Sequence, residues 1–176
     1  MFTSPVKNLK TLGLNEESIV ADLGAGTGFY AIAAGKMLPK GKVYAVELVK
    51  DFLMTVKNKA MEERLDNVEI IWGDVEKVYG TKIGDNVADA AIASNILFQL
   101  EHKDKFIEEA RRILKPSGKL LLIDWADGSS IAGLKGIVPK NKAKEMFEKR
   151  GFVFDRDIDA GAHHYGAGKN QNTKNR

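Results

Sequence analysis

Residues 20–28 read Val-Ala-Asp-Leu-Gly-Ala-Gly-Thr-Gly, an apolar run that breaks into three alternating glycines. The apolar part reads as a buried strand. Gly24, Gly26 and Gly28 then free the backbone to take positive φ and to approach a ligand that side chains would obstruct. Phe29 to Leu38 reads as a helix, whose N-terminal amides and positive dipole end face whatever the loop holds. Strand, glycine loop and helix predict a nucleotide-type site.

Spacing narrows the ligand. Dinucleotide-binding loops run G-x-G-x-x-G, but Phe29 stands where the third glycine would fall, so the pattern here is G-x-G-x-G. The Gly-Lys-Ser/Thr ending of a phosphate-cradling loop is also missing. Both facts favour a cofactor without phosphates. Glu47 follows the strand-like run Lys42 to Val46, a place from which a carboxylate accepts hydrogen bonds from both hydroxyls of a ribose. An adenosine-containing ligand suits the loop and the carboxylate together.

Outward from this loop, strands alternate with helices. A short helix over 5–12 opens at Ser4-Pro5, with Ser4 as N-cap and proline at the first helical position, and Gly13 closes it. Strands are predicted at 19–23, 42–46, 68–72, 87–97, 119–125 and 152–158, and helices at about 27–38, 50–64, through 105–114 before the stop at Pro116-Ser117-Gly118, and 140–150. In the second of these, Phe52, Leu53, Val56, Ala60 and Met61 form the apolar stripe. In the third, Phe106, Ile107, Ala110, Ile113 and Leu114 share a face while Lys105, Glu108, Glu109 and Arg112 stay wet. The fold class is therefore α/β, a Rossmann-like, doubly wound, mainly parallel sheet with helices on both faces. Ligands of such sheets lie beyond the carboxyl ends of the strands, and Gly24, Glu47, Asp74, Asn95 and Asp124 all fall at or just after predicted ends.

VADLGAGTG, the Glu at the end of the second strand, Trp72-Gly73-Asp74, Ser94-Asn95-Ile96-Leu97-Phe98 and Leu114-Lys115-Pro116-Ser117-Gly118-Lys119-Leu120 occur in an order that resembles the class I S-adenosylmethionine-dependent methyltransferases, especially the ubiquinone/menaquinone-methyltransferase-like (type 11) branch. The resemblance covers roughly residues 15–160. It implies S-adenosylmethionine as cofactor and S-adenosylhomocysteine as product. It also implies that Asp22, Gly24, Ala25, Gly26 and Gly28 surround the methionine part, that Glu47 and Leu48 meet the ribose end, and that Gly73, Asp74 and Val75 meet the adenine. Asn95 and Leu97 then lie near the methyl group. Plainer roles exist for several of these. Glu47 could be a solvated residue before a helix, Asp74 a turn aspartate, and Asn95 a strand-end residue bonding its own backbone.

Family members usually end with a hairpin whose last strand inserts beside the fifth. After Gly161 this chain offers only His163-His164-Tyr165 before small and polar residues, so a seventh strand is expected to be short, frayed or missing, with an open edge through which a homodimer could pair. Residues 1–166 are read as one domain and 167–176 as a polar, disordered tail.

With 176 residues the chain has length for one core, and 44% hydrophobic with 29% charged residues is ordinary for a soluble protein. No run is long and apolar enough to span a bilayer and the N-terminus lacks a secretory signal, so a cytoplasmic protein is expected. The absence of cysteine excludes thiolate nucleophiles, disulfides and thiolate metal sites. A net charge of +3 does not point to a polyanionic partner. Adjacent His163 and His164 point to opposite faces in an extended segment, so no metal site is read there.

The expected activity is methyl transfer to a small-molecule acceptor by a monomer or homodimer. RNA or protein methylation and a non-catalytic cofactor-binding module remain as rivals. Ser-Asn-Ile-Leu-Phe differs from the Asn-Pro-Pro-aromatic signature of methyltransferases acting on adenine or glutamine amino groups. Tyr30, Phe98 and Trp125 are candidate acceptor walls. Asp124 and His102 are positional candidates for a base, but neither is assigned, and no catalytic residue is named.

Overall fold

The computed structural model describes residues 4–126, 135–159 and 164–171. The elements run α1 (Pro5–Lys10), β1 (Ile19–Leu23), α2 (Phe29–Met37), β2 (Lys42–Glu47), α3 (Lys50–Glu62), β3 (Val68–Trp72), β4 (Ala88–Ser94), a 3-10 turn (Leu97–Gln99), α4 (Lys103–Ile113), β5 (Leu114–Trp125), α5 (Lys140–Glu148), β6 (Phe152–Ile158) and β7 (His164–Gln171). They build one sheet in the order β3-β2-β1-β4-β5-β7-β6. The first five strands are parallel, and β7 is antiparallel to both neighbours. This is the expected Rossmann-like architecture. The order reverses at β1, because the chain leaves β3 on one side and returns as β4 on the other, which opens a crevice above the β1/β4 boundary.

Side-chain alternation along the strands divides the core in two. Ala21, Leu23, Leu120 and Leu122 pack with Phe106, Ile107 and Ala110 of α4 and Phe147 of α5. Val20, Val43, Leu121 and Ile123 pack with Leu9 of α1, Tyr30 and Ala34 of α2 and Val56 of α3. By that alternation Asp22 shares a face with Val20, which sets a carboxylate among the apolar side chains beneath α1 and α2.

Several sequence expectations are corrected. β4 stops at Ser94, because Asn95 takes a left-handed φ of 53° and turns the chain out of the sheet, and Leu97 falls in the 3-10 turn. Ser4 precedes α1 but makes no side-chain cap; its carbonyl accepts the Asn8 N–H instead. On α3, Leu53, Val56 and Ala60 are buried, whereas Phe52 and Met61 are exposed. Glu109 of α4 is buried rather than wet. The segment after β3 folds over it, so that its carboxylate accepts the N–H groups of Tyr79 and Thr81, the Thr81 hydroxyl and the Arg112 guanidinium. Burial alone would push this carboxyl up; those four partners outweigh it and hold Glu109 below the usual range.

The seventh strand is eight residues long, not short or missing, and it takes in 167–171, which composition assigns to the tail. Ladder pairing uses backbone groups, so it needs no hydrophobic pattern. Leu120 to Trp125 pair with Lys169 back to His164, so the β5 edge through which a homodimer could pair is covered. His163, residues 127–134 and tail residues 172–176 lie outside the described residues. Among the described residues no helix is long and apolar enough to cross a membrane, and no cluster of metal-ligating side chains occurs.

Candidate functional site

Register aligns the strand ends that the site needs. Leu23 pairs with Val46, Glu47 with Trp72 and Ser94 with Ile123, so the residues that follow these positions emerge along one edge of the sheet. A cavity of about 640 Å³ opens there. Its size is in the range of small-molecule and cofactor sites. Ten of the twelve expected cofactor residues line it: Asp22, Gly24, Ala25, Gly26, Glu47, Leu48, Gly73, Asp74, Val75 and Asn95. Gly28 and Leu97 do not. Gly28 begins α2 at φ 84°, and a Cβ there would lie 3.1 Å from Val56, so this glycine allows α2 to pack on α3. Leu97 is fully buried, its N–H donating to Asp124 Oδ2 at 2.7 Å.

The glycine loop is tied to β2 at three points. The N–H groups of Gly24 and Ala25 both donate to the Val46 carbonyl, and that of Gly26 donates to Glu47 Oε2 at 2.9 Å. The other Glu47 oxygen accepts the N–H groups of Leu48 and Val49. Glu47 therefore shapes the loop as well as ending the strand. The glycines divide their work differently from the sequence expectation. A Cβ on Gly24 would sit 2.3 Å from Ile96 Cδ1, so its bareness accommodates a protein side chain, whereas a Cβ on Gly26 (φ 53°) would meet nothing within 4 Å. Of the three loop glycines, Gly26 alone has open space where a side chain would be.

Asp22 is 2% exposed, and its Oδ2 has no hydrogen-bond partner among the described residues. Burial pushes its carboxyl up to about 7; the Ala31 N–H opposes that rise and the neighbouring Glu47 charge adds to it. A buried acceptor left this way seeks a donor, and a cation satisfies it best. Asp74 is already engaged, pairing with Lys77 at 3.0 Å and accepting the Glu76 N–H. Burial would raise its carboxyl, but these two partners outweigh it and the net shift is downward. Asp74 thus also serves as the turn aspartate of the plainer reading. The turn it stabilises brings the Gly80 carbonyl against Gly73, where an added Cβ would lie 2.5 Å from that oxygen.

Beyond these residues the cavity reaches Asn8, Tyr30, Ser94, Gln99 and Ile123. Asn8 is 1% exposed and donates from Nδ2 to the Tyr30 hydroxyl at 2.8 Å. Among the described residues its Oδ1 has no partner, and neither has that of Asn95. Sequence reasoning passed over Asn8, although a signal exists: it stands one residue before Leu9 and four before Leu12 on the buried side of α1, a polar residue where an apolar one is expected. Thr27, Phe29, Val49, Phe52 and Glu76 also line the cavity. Of the candidate acceptor walls, Tyr30 faces it and Phe98 and Trp125 do not. Asp124 is a clamp, both oxygens holding backbone N–H groups, of Leu97 and Trp125. His102 precedes α4 and its backbone N–H donates to Glu76. Neither residue lines the cavity.

Comparison with known proteins agrees with this geometry. A SAM dependent methyltransferase from Aquifex aeolicus is 29% identical, with a TM-score of 0.87 over 97% of this chain and 90% of that one. A malonyl-[acyl-carrier protein] O-methyltransferase from Priestia megaterium is 30% identical over 125 residues, 70% of this chain and 43% of the relative. A ubiquinone/menaquinone biosynthesis C-methyltransferase from Pseudomonas entomophila is 27% identical over 116 residues, 65% and 44% of the two chains. The chain thus spans less than half the length of these two curated relatives. Residues 14–163 match the family described as methyltransferase domain. With the loop, the strand order and the cavity in place, the protein belongs to the methyltransferase domain family.

Proposed function

We propose that the protein binds S-adenosylmethionine in this cavity and transfers its methyl group to a small-molecule acceptor. The observation that carries the proposal is the convergence of Asp22, Gly26, Glu47 and Asp74, from three strand-end segments, on one cavity with a buried carboxylate oxygen that has no partner among the described residues. The fit is chemical. Asp22 supplies an anionic acceptor for an ammonium group, Glu47 a carboxylate able to accept from ribose hydroxyls, and Gly26 a wall without a side chain. When bound, the cofactor would supply an activated methyl group on a sulfonium.

The chain's residues act by positioning. The loop bonds to Val46 and Glu47 fix the cofactor wall, while Ile96, Leu100 and Ile123 keep water from the reaction space. The similarity to methyltransferases named for malonyl-[acyl-carrier protein] and for quinone biosynthesis supports a small or carrier-borne acceptor over a nucleic acid. Calorimetric titration with S-adenosylhomocysteine tests the binding half, and transfer of labelled methyl from S-adenosylmethionine to a small-molecule fraction tests the rest. No heat of binding from S-adenosylhomocysteine would refute the proposal.

Glu47→Ala removes the proposed ribose acceptor and the latch on Gly26 together. Affinity for S-adenosylhomocysteine is expected to fall by about 1–3 kcal/mol, the scale of a hydrogen bond to a charged group, while the circular dichroism spectrum stays that of the parent. An unchanged affinity would remove Glu47 from the site.

A further inference from the structure

Four carboxylates line the cavity, from Asp22, Glu47, Asp74 and Glu76, and among its described lining residues there is no Lys, Arg or His. Lys77 reaches Asp74 but is not part of the lining. An anionic acceptor would enter this space against a negative field, with no cation in the wall to receive it. The acceptor side also carries orphaned acceptors. Asn8 Oδ1 and Asn95 Oδ1 are buried without partners among the described residues, and Asn95, a residue type that takes the left-handed conformation readily, turns there at φ 53° beside the cavity. The Tyr30 hydroxyl takes the Nδ2 hydrogen of Asn8, which fixes the Asn8 amide with its oxygen uncommitted. Amide oxygens attract N–H and O–H groups and repel carboxylate and phosphate oxygens. The remaining wall, Ile96, Leu100 and Ile123, is apolar and suits a carbon skeleton.

We propose that the acceptor is a small molecule without anionic groups whose reacting amine or hydroxyl, neutral at the reacting atom, donates its hydrogen to the amide oxygens of Asn8 and Asn95, and that carboxylate and phosphate acceptors are rejected. This rests on the methyltransferase reading above. In the transfer, the lone pair of the acceptor heteroatom forms the new bond to the methyl carbon as the carbon–sulfur pair stays on sulfur. The positive charge passes from sulfur to the acceptor and is discharged when the acceptor's proton leaves to solvent. The cavity carboxylates favour a cation on either side of that exchange, so the field that excludes anions costs the transfer nothing.

Two measurements test this. The protein is first titrated with S-adenosylhomocysteine; failure to bind refutes the methyltransferase reading itself. It is then incubated with methyl-labelled S-adenosylmethionine and a protein-free cell extract separated by ion exchange into anionic, neutral and cationic pools. Label is expected in a compound that is neutral in its reacting group, from the neutral or cationic pool. Binding of S-adenosylhomocysteine with label confined to the anionic pool would overturn the proposal and leave the methyltransferase reading standing. For the labelled compound, Asn8→Ala and the milder Tyr30→Phe are expected to raise KM by about tenfold, the loss of one hydrogen bond, with S-adenosylhomocysteine affinity changed less than about twofold. An unchanged KM in both variants would overturn the assignment.

Discussion

Gly26→Ala is expected to fold and to lose about a hundredfold or more in affinity for S-adenosylhomocysteine. The new methyl group meets no protein atom within 4 Å, so the fold bears only the cost of an alanine at φ 53°, about 1–2 kcal/mol. The methyl projects from a residue that lines the cavity, and rigid walls pass such an intrusion on to the ligand. Gly73→Ala makes the contrast. Its Cβ would fall 2.5 Å from the Gly80 carbonyl oxygen, a backbone atom of a turn held by Glu109, so overpacking by about 1–3 kcal/mol is added to any effect on binding. Thermal melts of the two ligand-free variants, set beside calorimetric affinities, separate the cases. A Gly26→Ala protein that binds normally would move the ligand elsewhere.

Asp22→Asn is expected to stabilise the ligand-free protein and to weaken the complex. The wild-type carboxyl is raised from 3.8 to about 7 by burial, so the native state holds this proton more tightly than the unfolded chain does. Its contribution to stability is complete below pH 3.8 and is lost as pH rises to about 7. At about 1.4 kcal/mol per pH unit the limit of that loss is roughly 4 kcal/mol, and water in the cavity reduces it to about 2.

Asparagine does not titrate. The gap in melting temperature between variant and wild type should therefore open from near zero at pH 4 to about 4–8 °C at pH 8. Over the same range the wild type should bind S-adenosylhomocysteine more tightly as Asp22 ionises opposite the ammonium group. The variant should bind about 30- to 100-fold more weakly at pH 8, the worth of a charged hydrogen bond. A variant with wild-type affinity and a lower melting temperature would sink the assignment of Asp22.

The ends of the parallel strands were legible because each is marked twice, by an apolar run and by the glycine or carboxylate that stops it. β1, β3 and β6 have the expected bounds for that reason. Partnerships were not legible. Nothing in the glycine spacing tells that Gly24 accommodates Ile96 and Gly28 accommodates Val56, since both neighbours come from distant segments. Glu109 falls on the wet side of the α4 period and is buried because the segment carrying Tyr79 and Thr81 lies over it. Phe52 fits the apolar stripe of α3 yet lines the cavity, an exposed aromatic that a periodicity rule assigns to the core. The length of β7 was not legible because its pairing needs only main-chain groups.

Helix α4 contributes no residue to the cavity, yet through Glu109 it holds the turn that presses on Gly73 and meets the Asp74 N–H. Sequence drift along this helix would thus reshape the Gly73–Asp74 wall of the cavity while every residue lining it stays the same, and a comparison of binding pockets alone would overlook the cause.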